Sequence, residues 1–102
     1  MMNPKGLFMF VDSSADSSKH RAIISTSKFT ISIVGVSSIE EGASIAKQFA
    51  EEGVRIIELC GAFGYAGAKV ISEAVGDQVS VGMMVHQVWN APNLAKALEA
   101  WR

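Results

Sequence analysis

Glu58 and Cys60 are the residues of this chain whose types and spacing most invite a chemical reading. They stand two apart in the apolar run Val54-Arg55-Ile56-Ile57-Glu58-Leu59-Cys60. Residues two apart on a strand point to one face, so the carboxylate and the thiol are expected side by side, with Val54 and Ile56 around them. A carboxylate in apolar surroundings needs a specific partner, and it can serve as a general acid or base. The bland alternative is a glutamate that bonds a neighbouring loop. Cys60 directly precedes Gly61-Ala62-Phe63-Gly64, and helix starts favour the thiolate form of a cysteine. Buried cysteines are as often inert packing. His86, at the end of a later apolar run, is the natural base for the thiol if the two strands are neighbours. Glu58, Cys60 and His86 are therefore the candidate catalytic groups.

Gly61 and Gly64, with Gly67 close behind, join a strand to a helix start. Backbone N–H groups there attract anions, and absent side chains permit close approach. The same glycines also suit a tight turn. The spacing is neither a full G-x-G-x-x-G fingerprint nor a P-loop with its lysine and hydroxyl. Asp12 and Ser37 fall at two further strand ends, and His20 with Arg21 can supply a base and an anion clamp. Asp12, His20, Arg21, Ser37, Gly61, Gly64 and Gly67 form the candidate ligand-binding set. No H-x-x-x-H spacing or cysteine pair suggests a metal site, and no cofactor is expected.

These residues need elements to position them. Leu7 to Val11 reads as a buried strand, followed by the polar stretch Asp12 to Ser18. Lys19 to Thr26 reads as a short helix capped by Ser17 or Ser18, with an edge strand as the alternative. Phe29 to Val36 is a strand. Ser38 and Glu41 then form a capping box for a helix over 39–52, which Gly53 ends. Val54 to Cys60 is apolar on both parities apart from Arg55 and Glu58, as in a strand covered on both faces. A helix over about Tyr65 to Val75 ends at Gly76. Val79 to Val85 is a fourth strand, and Pro92 opens a last helix with Leu94, Leu98 and Trp101 on one stripe. The strands near 29, 54 and 79 recur at the rhythm of βαβ units. The expected fold is a single α/β domain over 1–102, with a mainly parallel four-stranded sheet and helices on its faces. Ligands bind such sheets at the carboxyl ends of the strands, where the candidates fall.

Composition limits the partners. The 102 residues carry 9 basic and 10 acidic groups, so no basic excess points to nucleic acid or a membrane surface. Half-apolar composition, 49 %, argues against disorder. The run Leu7 to Val11 is too short for a secretory core and nothing approaches a membrane span, which makes the cytoplasm the expected compartment. One cysteine excludes an intrachain disulfide. Trp89 and Trp101 suit packing or an interface, since the basic groove of a stacking platform is missing. A small chain with so many large apolar side chains is expected to form a homo-oligomer, a dimer first, through the final helix and an edge strand.

The segment Ile57-Glu58-Leu59-Cys60-Gly61-Ala62-Phe63-Gly64, the upstream Lys19-His20-Arg21-Ala22 and the Gly-Val strand ends together resemble a family of short microbial α/β proteins known only as a domain of unknown function. The resemblance covers nearly the whole chain. It implies a stand-alone domain and brings no activity and no catalytic residue. The expected function is binding of a small anionic metabolite at the strand exits, extended by isomerase- or lyase-like proton transfer. The alternative is a non-catalytic oligomeric binding or structural module.

Overall fold

The computed structural model of the chain describes residues 3–101. Five strands and three helices follow one another as β1 (Lys5–Val11), β2 (Arg21–Ser25), β3 (Thr30–Val36), α1 (Ile39–Glu51), β4 (Ile56–Leu59), α2 (Gly64–Val75), β5 (Ser80–Met83) and α3 (Ala91–Glu99). Short 3₁₀ turns at Gly61–Phe63 and Val88–Asn90 precede α2 and α3. The sheet runs β2-β3-β1-β4-β5. All neighbours are parallel except β2, which pairs antiparallel with β3.

The sheet therefore has five strands, and the extra one is the segment expected first as a helix. Strand pairing prevails there for local reasons. Ile23 and Ile24 are β-branched, which costs side-chain freedom in a helix. Ser18 does not cap anything, because its amide and hydroxyl both donate to Asp16 Oδ1, at 2.9 and 2.6 Å. The tight turn Thr26–Phe29 closes the hairpin: Thr26 N–H donates to the Phe29 carbonyl, and Thr26 Oγ1 accepts from the Lys28 and Phe29 amides.

Helix α1 starts as the capping pattern requires. Ser38 Oγ accepts the Glu41 amide at 3.0 Å. The Glu41 carboxylate reaches back to the Ser37 amide at 2.7 Å, one residue earlier than in the standard box. Gly53 (φ 105°) and Gly76 (φ 80°) end α1 and α2 in backbone that L side chains rarely adopt.

Both α1 and α2 cover one face of the sheet. Leu7, Met9, Val34, Val36, Ile57 and Leu59 point from the strands into the core, where Ile45, Ala46, Phe63 and Ile71 meet them. The two helices approach closely at Gly67, where a Cβ would stand 3.0 Å from Ile39 Cδ1. Strand residues of the opposite parity stay half-buried or exposed, Phe8, Phe10, Ile31, Ile33, Ile56 and Glu58 among them. β4 alternates exposed and buried residues, so it is covered on one side only, contrary to the two-sided burial its apolar run suggested. The cause is the β1-to-β3 connection. A helical crossover there is the usual cover for the second face of such a sheet. Here the chain returns through a polar loop and the flat strand β2, which covers nothing.

Candidate functional site

The carboxyl ends of β1, β3, β4 and β5 form one rim, since all four strands are parallel. Hydrogen bonds continue past the strand ends and hold the exits in a row. Asp12 N–H donates to the Val36 carbonyl (2.9 Å), Cys60 N–H to Met9 (3.0 Å) and Met84 N–H to Leu59 (2.9 Å). Helix α1 and the 3₁₀ turn leading into α2 both start at this rim. The turn is closed by Phe63 N–H donating to the Cys60 carbonyl at 3.2 Å. The Gly61 and Ala62 amides, the first two of that turn, donate to no protein group among the described residues, and both residues are exposed. A Cβ at Gly61 would come 3.1 Å from the Met84 carbonyl oxygen. Gly64 (φ 68°, ψ 172°) has open space around it, so it is required by its backbone angles. Gly67 is buried in the α1–α2 contact, which gives it a packing duty away from the exposed amides.

Glu58 and Cys60 sit in different surroundings. β4 ends at Leu59, and Cys60, its backbone still extended, precedes the 3₁₀ turn. Its half-buried side chain packs against the core cluster. Glu58 is exposed on the uncovered face, beside Phe8 and Gly82 in register, with its Oε1 2.9 Å from where a Gly82 Cβ would sit. Val54 is buried on the core side, so of the expected apolar neighbours Ile56 alone accompanies Glu58. His86 is exposed beyond β5. No hydrogen bond joins Glu58, Cys60 and His86 among the described residues.

The candidates between β1 and β2 are already engaged. Asp12 Oδ1 accepts from the Ser14 amide (2.9 Å) and hydroxyl (2.8 Å), and these bonds hold its carboxyl below the ordinary aspartate value. Asp16 is lowered in the same way, first by the Ser18 hydroxyl and then by the Ser18 amide. Asp16 N–H donates to Nδ1 of His20 at 2.8 Å, which puts the proton of a neutral ring on Nε2. Arg21 Nε donates to the Ser17 carbonyl at 2.6 Å, and its guanidinium lies 5.9 Å from the centre of the Phe49 ring on α1. Arg21 therefore braces β2 against the helix layer. Ser37 offers its amide and hydroxyl to Glu41. Asp16 and Glu41 organise this rim. Glu41 was singled out in the sequence only as part of the helix cap; Asp16 was not singled out, and the repeated Asp-x-Ser was the usable signal.

Two hollows lie at the opposite, amino-terminal ends of the strands. One, of about 370 Å³, opens between Lys47 and Glu51 of α1, Arg55, and Gly76 with Asp77 beyond α2. The other, of about 330 Å³, lies between Pro4, Lys5, Gly53 and Arg55. Arg55 serves both walls while its Nη1 donates to the Ala50 and Val54 carbonyls at 2.9 and 2.8 Å. Neither hollow contains a candidate site residue. Among the described residues no three His, Cys, Asp or Glu side chains gather as a metal site.

Comparison with known proteins agrees with the fold and leaves the chemistry open. The solved structure of unliganded arylmalonate decarboxylase is similar over 96 % of this chain, with a TM-score of 0.51 and 16 % sequence identity. The likeness is one of fold. The chain spans about half of that protein, 45 % of its length. A search of curated proteins finds no match. The model of a family of unknown function, DUF6506, matches residues 4–99, and the chain belongs to that family.

Proposed function

We propose that the rim at the strand exits binds a small anionic metabolite, and that proton transfer of an isomerase or lyase type is the chemistry this binding serves. The observation that carries the reading is the pair of uncommitted amides, Gly61 and Ala62, at the 3₁₀ turn that opens α2. Amides at such a turn suit a carboxylate or phosphate. The fold likeness to an enzyme named for a malonate, a dicarboxylate, supports the same class of ligand. In this reading Gly61 and Gly64 let the ligand approach, and Cys60, one residue away, exchanges a proton with it. Glu58 or His86 is the second acid–base group, brought nearer by ligand or partner. Asp12, Ser37, His20 and Arg21 shape the rim, and Gly67 fixes the helix that follows. The free thiol of Cys60 suits a reducing compartment, so the reading includes the cytoplasm. Among the described residues no helix is long and apolar enough to cross a membrane.

A non-catalytic oligomeric module is the second reading, favoured by the exposed Trp89 and Trp101. Titration with malonate and with inorganic phosphate, followed by amide NMR shifts, separates the two. Saturable shifts centred on Gly61 to Tyr65 support the first. Shifts absent there, or no saturation at millimolar ligand, leave the module.

A further inference from the structure

Two apolar surfaces of this chain are left incompletely covered. One is the uncovered half of the sheet formed by β1, β3 and β2, presenting Phe8, Phe10, Ile31, Ile33 and Ile24. It is flattened by two aromatic rings lying across glycines. A Cβ at Gly35 would stand 2.5 Å from Phe10 Cζ, and one at Gly6 would stand 2.7 Å from Phe29 Cζ. The other surface belongs to α3 and the turn before it. Leu94, Leu98 and Trp101 form one stripe, while Lys96 and Glu99 fall on the opposite side at about 100° per residue. No residue of α3 is buried, and Trp89 and Trp101 are 75 % and 81 % exposed.

Helix α3 stands off the body of the molecule. The longest dimension is 45 Å against 28 Å for the other two, and the radius of gyration is 14.3 Å, where a compact chain of this length has about 13 Å. Nine residues make a helix too short to persist alone in water, since isolated helices below about 12–15 residues are marginal. It needs a surface for its stripe. Its own sheet offers the wrong one nearby. α3 is tethered to β5, and the uncovered face at that edge carries Ser80, Gly82 and Glu58 with Ile56 as its one large apolar side chain. The apolar half begins two strands away and is centred on β3, three strands from β5. That is about 14 Å at roughly 4.8 Å per strand, a span the connection over 84–90 can cross, so the same face of its own sheet is the competing seat.

We propose that two copies of this chain exchange α3, each laying Leu94, Leu98 and Trp101 across the β1–β3–β2 half of the other's sheet. The area suffices. A tryptophan carries roughly 150–250 Å² of buriable surface, so covering Trp101 together with Leu94 and Leu98 on each of two chains, with the faces they cover, removes about 1,200 Å². Stable interfaces begin at about that size. A two-fold exchange closes on itself and leaves neither surface open. It places the partner's helix beside Glu58, at the margin of the apolar half. The proposal stands whether or not the rim binds an anion.

Light scattering after size exclusion on the full chain, at 10–100 µM in round terms, is expected to give a dimer mass; a monomer mass overturns the proposal. Leu98→Asp with Trp101→Asp is expected to give a monomer that still melts cooperatively, because no α3 residue belongs to the core. Ile33→Glu, on the sheet side, is expected to dissociate the dimer as well. A dimer that survives either change overturns the proposal. Exchange is told from self-docking with Ile33→Cys and Leu98→Cys, each in a Cys60→Ser chain, refolded together and oxidised. A disulfide-linked heterodimer is expected. Cross-linking confined to single chains that carry both new cysteines means that α3 folds on its own sheet, and refutes it.

Discussion

Gly64→Ala tests why a glycine stands at the head of α2. Two physical reasons compete, clearance for a ligand and backbone conformation, and they predict different things for the empty protein. Nothing lies within 4 Å of where a Gly64 Cβ would be, so added bulk meets no protein atom. The backbone angles, φ 68° and ψ 172°, fall in a region open essentially to glycine alone. Holding an alanine there costs about 1–3 kcal/mol. Helix propensity returns little, because Gly64 is the first residue of α2 and not an interior one. A net loss of about 2 kcal/mol corresponds to a fall in Tm of about 8–16 °C for a domain of this size. Gly61→Ala is the control: its φ is ordinary, and its single close neighbour is the Met84 carbonyl oxygen. Thermal melts by circular dichroism, without ligand, should therefore drop steeply for Gly64→Ala and slightly for Gly61→Ala. A Gly64→Ala melt within about 2 °C of the parent would refute the conformational reasoning and return Gly64 to a purely ligand-facing role.

Ser38→Ala should lower stability by about 1 kcal/mol in urea melts, because Ser38 Oγ caps the Glu41 amide; an unchanged midpoint refutes the cap. Ile71→Ala should cost about 2–5 kcal/mol, since Ile71 is fully buried between α2 and the sheet; a smaller loss means that the helix layer can collapse onto the gap. Asp12 and Asp16 have lowered folded-state pKa values, so the order they give the β1–β2 loop is present above the ordinary aspartate value of about 3.9 and is lost as pH falls through their lower folded values. Ser14 and Ser18 amide resonances should move together as pH falls below about 4. Movement near pH 6 would assign the loop's order to another group.

Local chemistry was legible in the residues, and coverage was not. The Ser38–Glu41 cap and the stops at Gly53 and Gly76 depend on a few adjacent residues, and they appear as read. The strand–helix rhythm from Phe29 onward likewise places β3, α1, β4, α2 and β5. The β2 segment was ambiguous because its apolar core, Ala22 to Ile24, is too short for either period to dominate, and the decision came from the Thr26 turn and the edge of β3. Glu58 and Cys60 stand two apart in an extended run, but that Glu58 is exposed while Cys60 packs against the core cluster depends on the packing around each. Ile56 and Ile57 look like two buried faces, yet one of them is bare, because burial depends on whether a distant connection is a helix. The rim residues were found as types; that Asp12, His20, Arg21 and Ser37 are occupied by bonds to Ser14, Asp16, Ser17 and Glu41 depends on loop geometry that no spacing encodes.

The order β2-β3-β1-β4-β5 also sets a timetable for synthesis. β1 is the middle strand, and both its partners come later in the chain. At about 5–20 residues per second, β3 is completed roughly 1–5 s after β1 and β4 roughly 2–10 s after it. Until β3 is complete Leu7-Phe8-Met9-Phe10-Val11 has both edges unpaired, and until β4 follows it has one, and such a segment is prone to pair with other chains. The β2–β3 hairpin is the quickest pairing available, for a hairpin forms in about 1–10 µs. It can stand ready as a template before β4 exists. Yield in the cell should thus depend on chaperones that hold short apolar strands, and in the test tube on refolding at low concentration, more than on the stability of the finished fold.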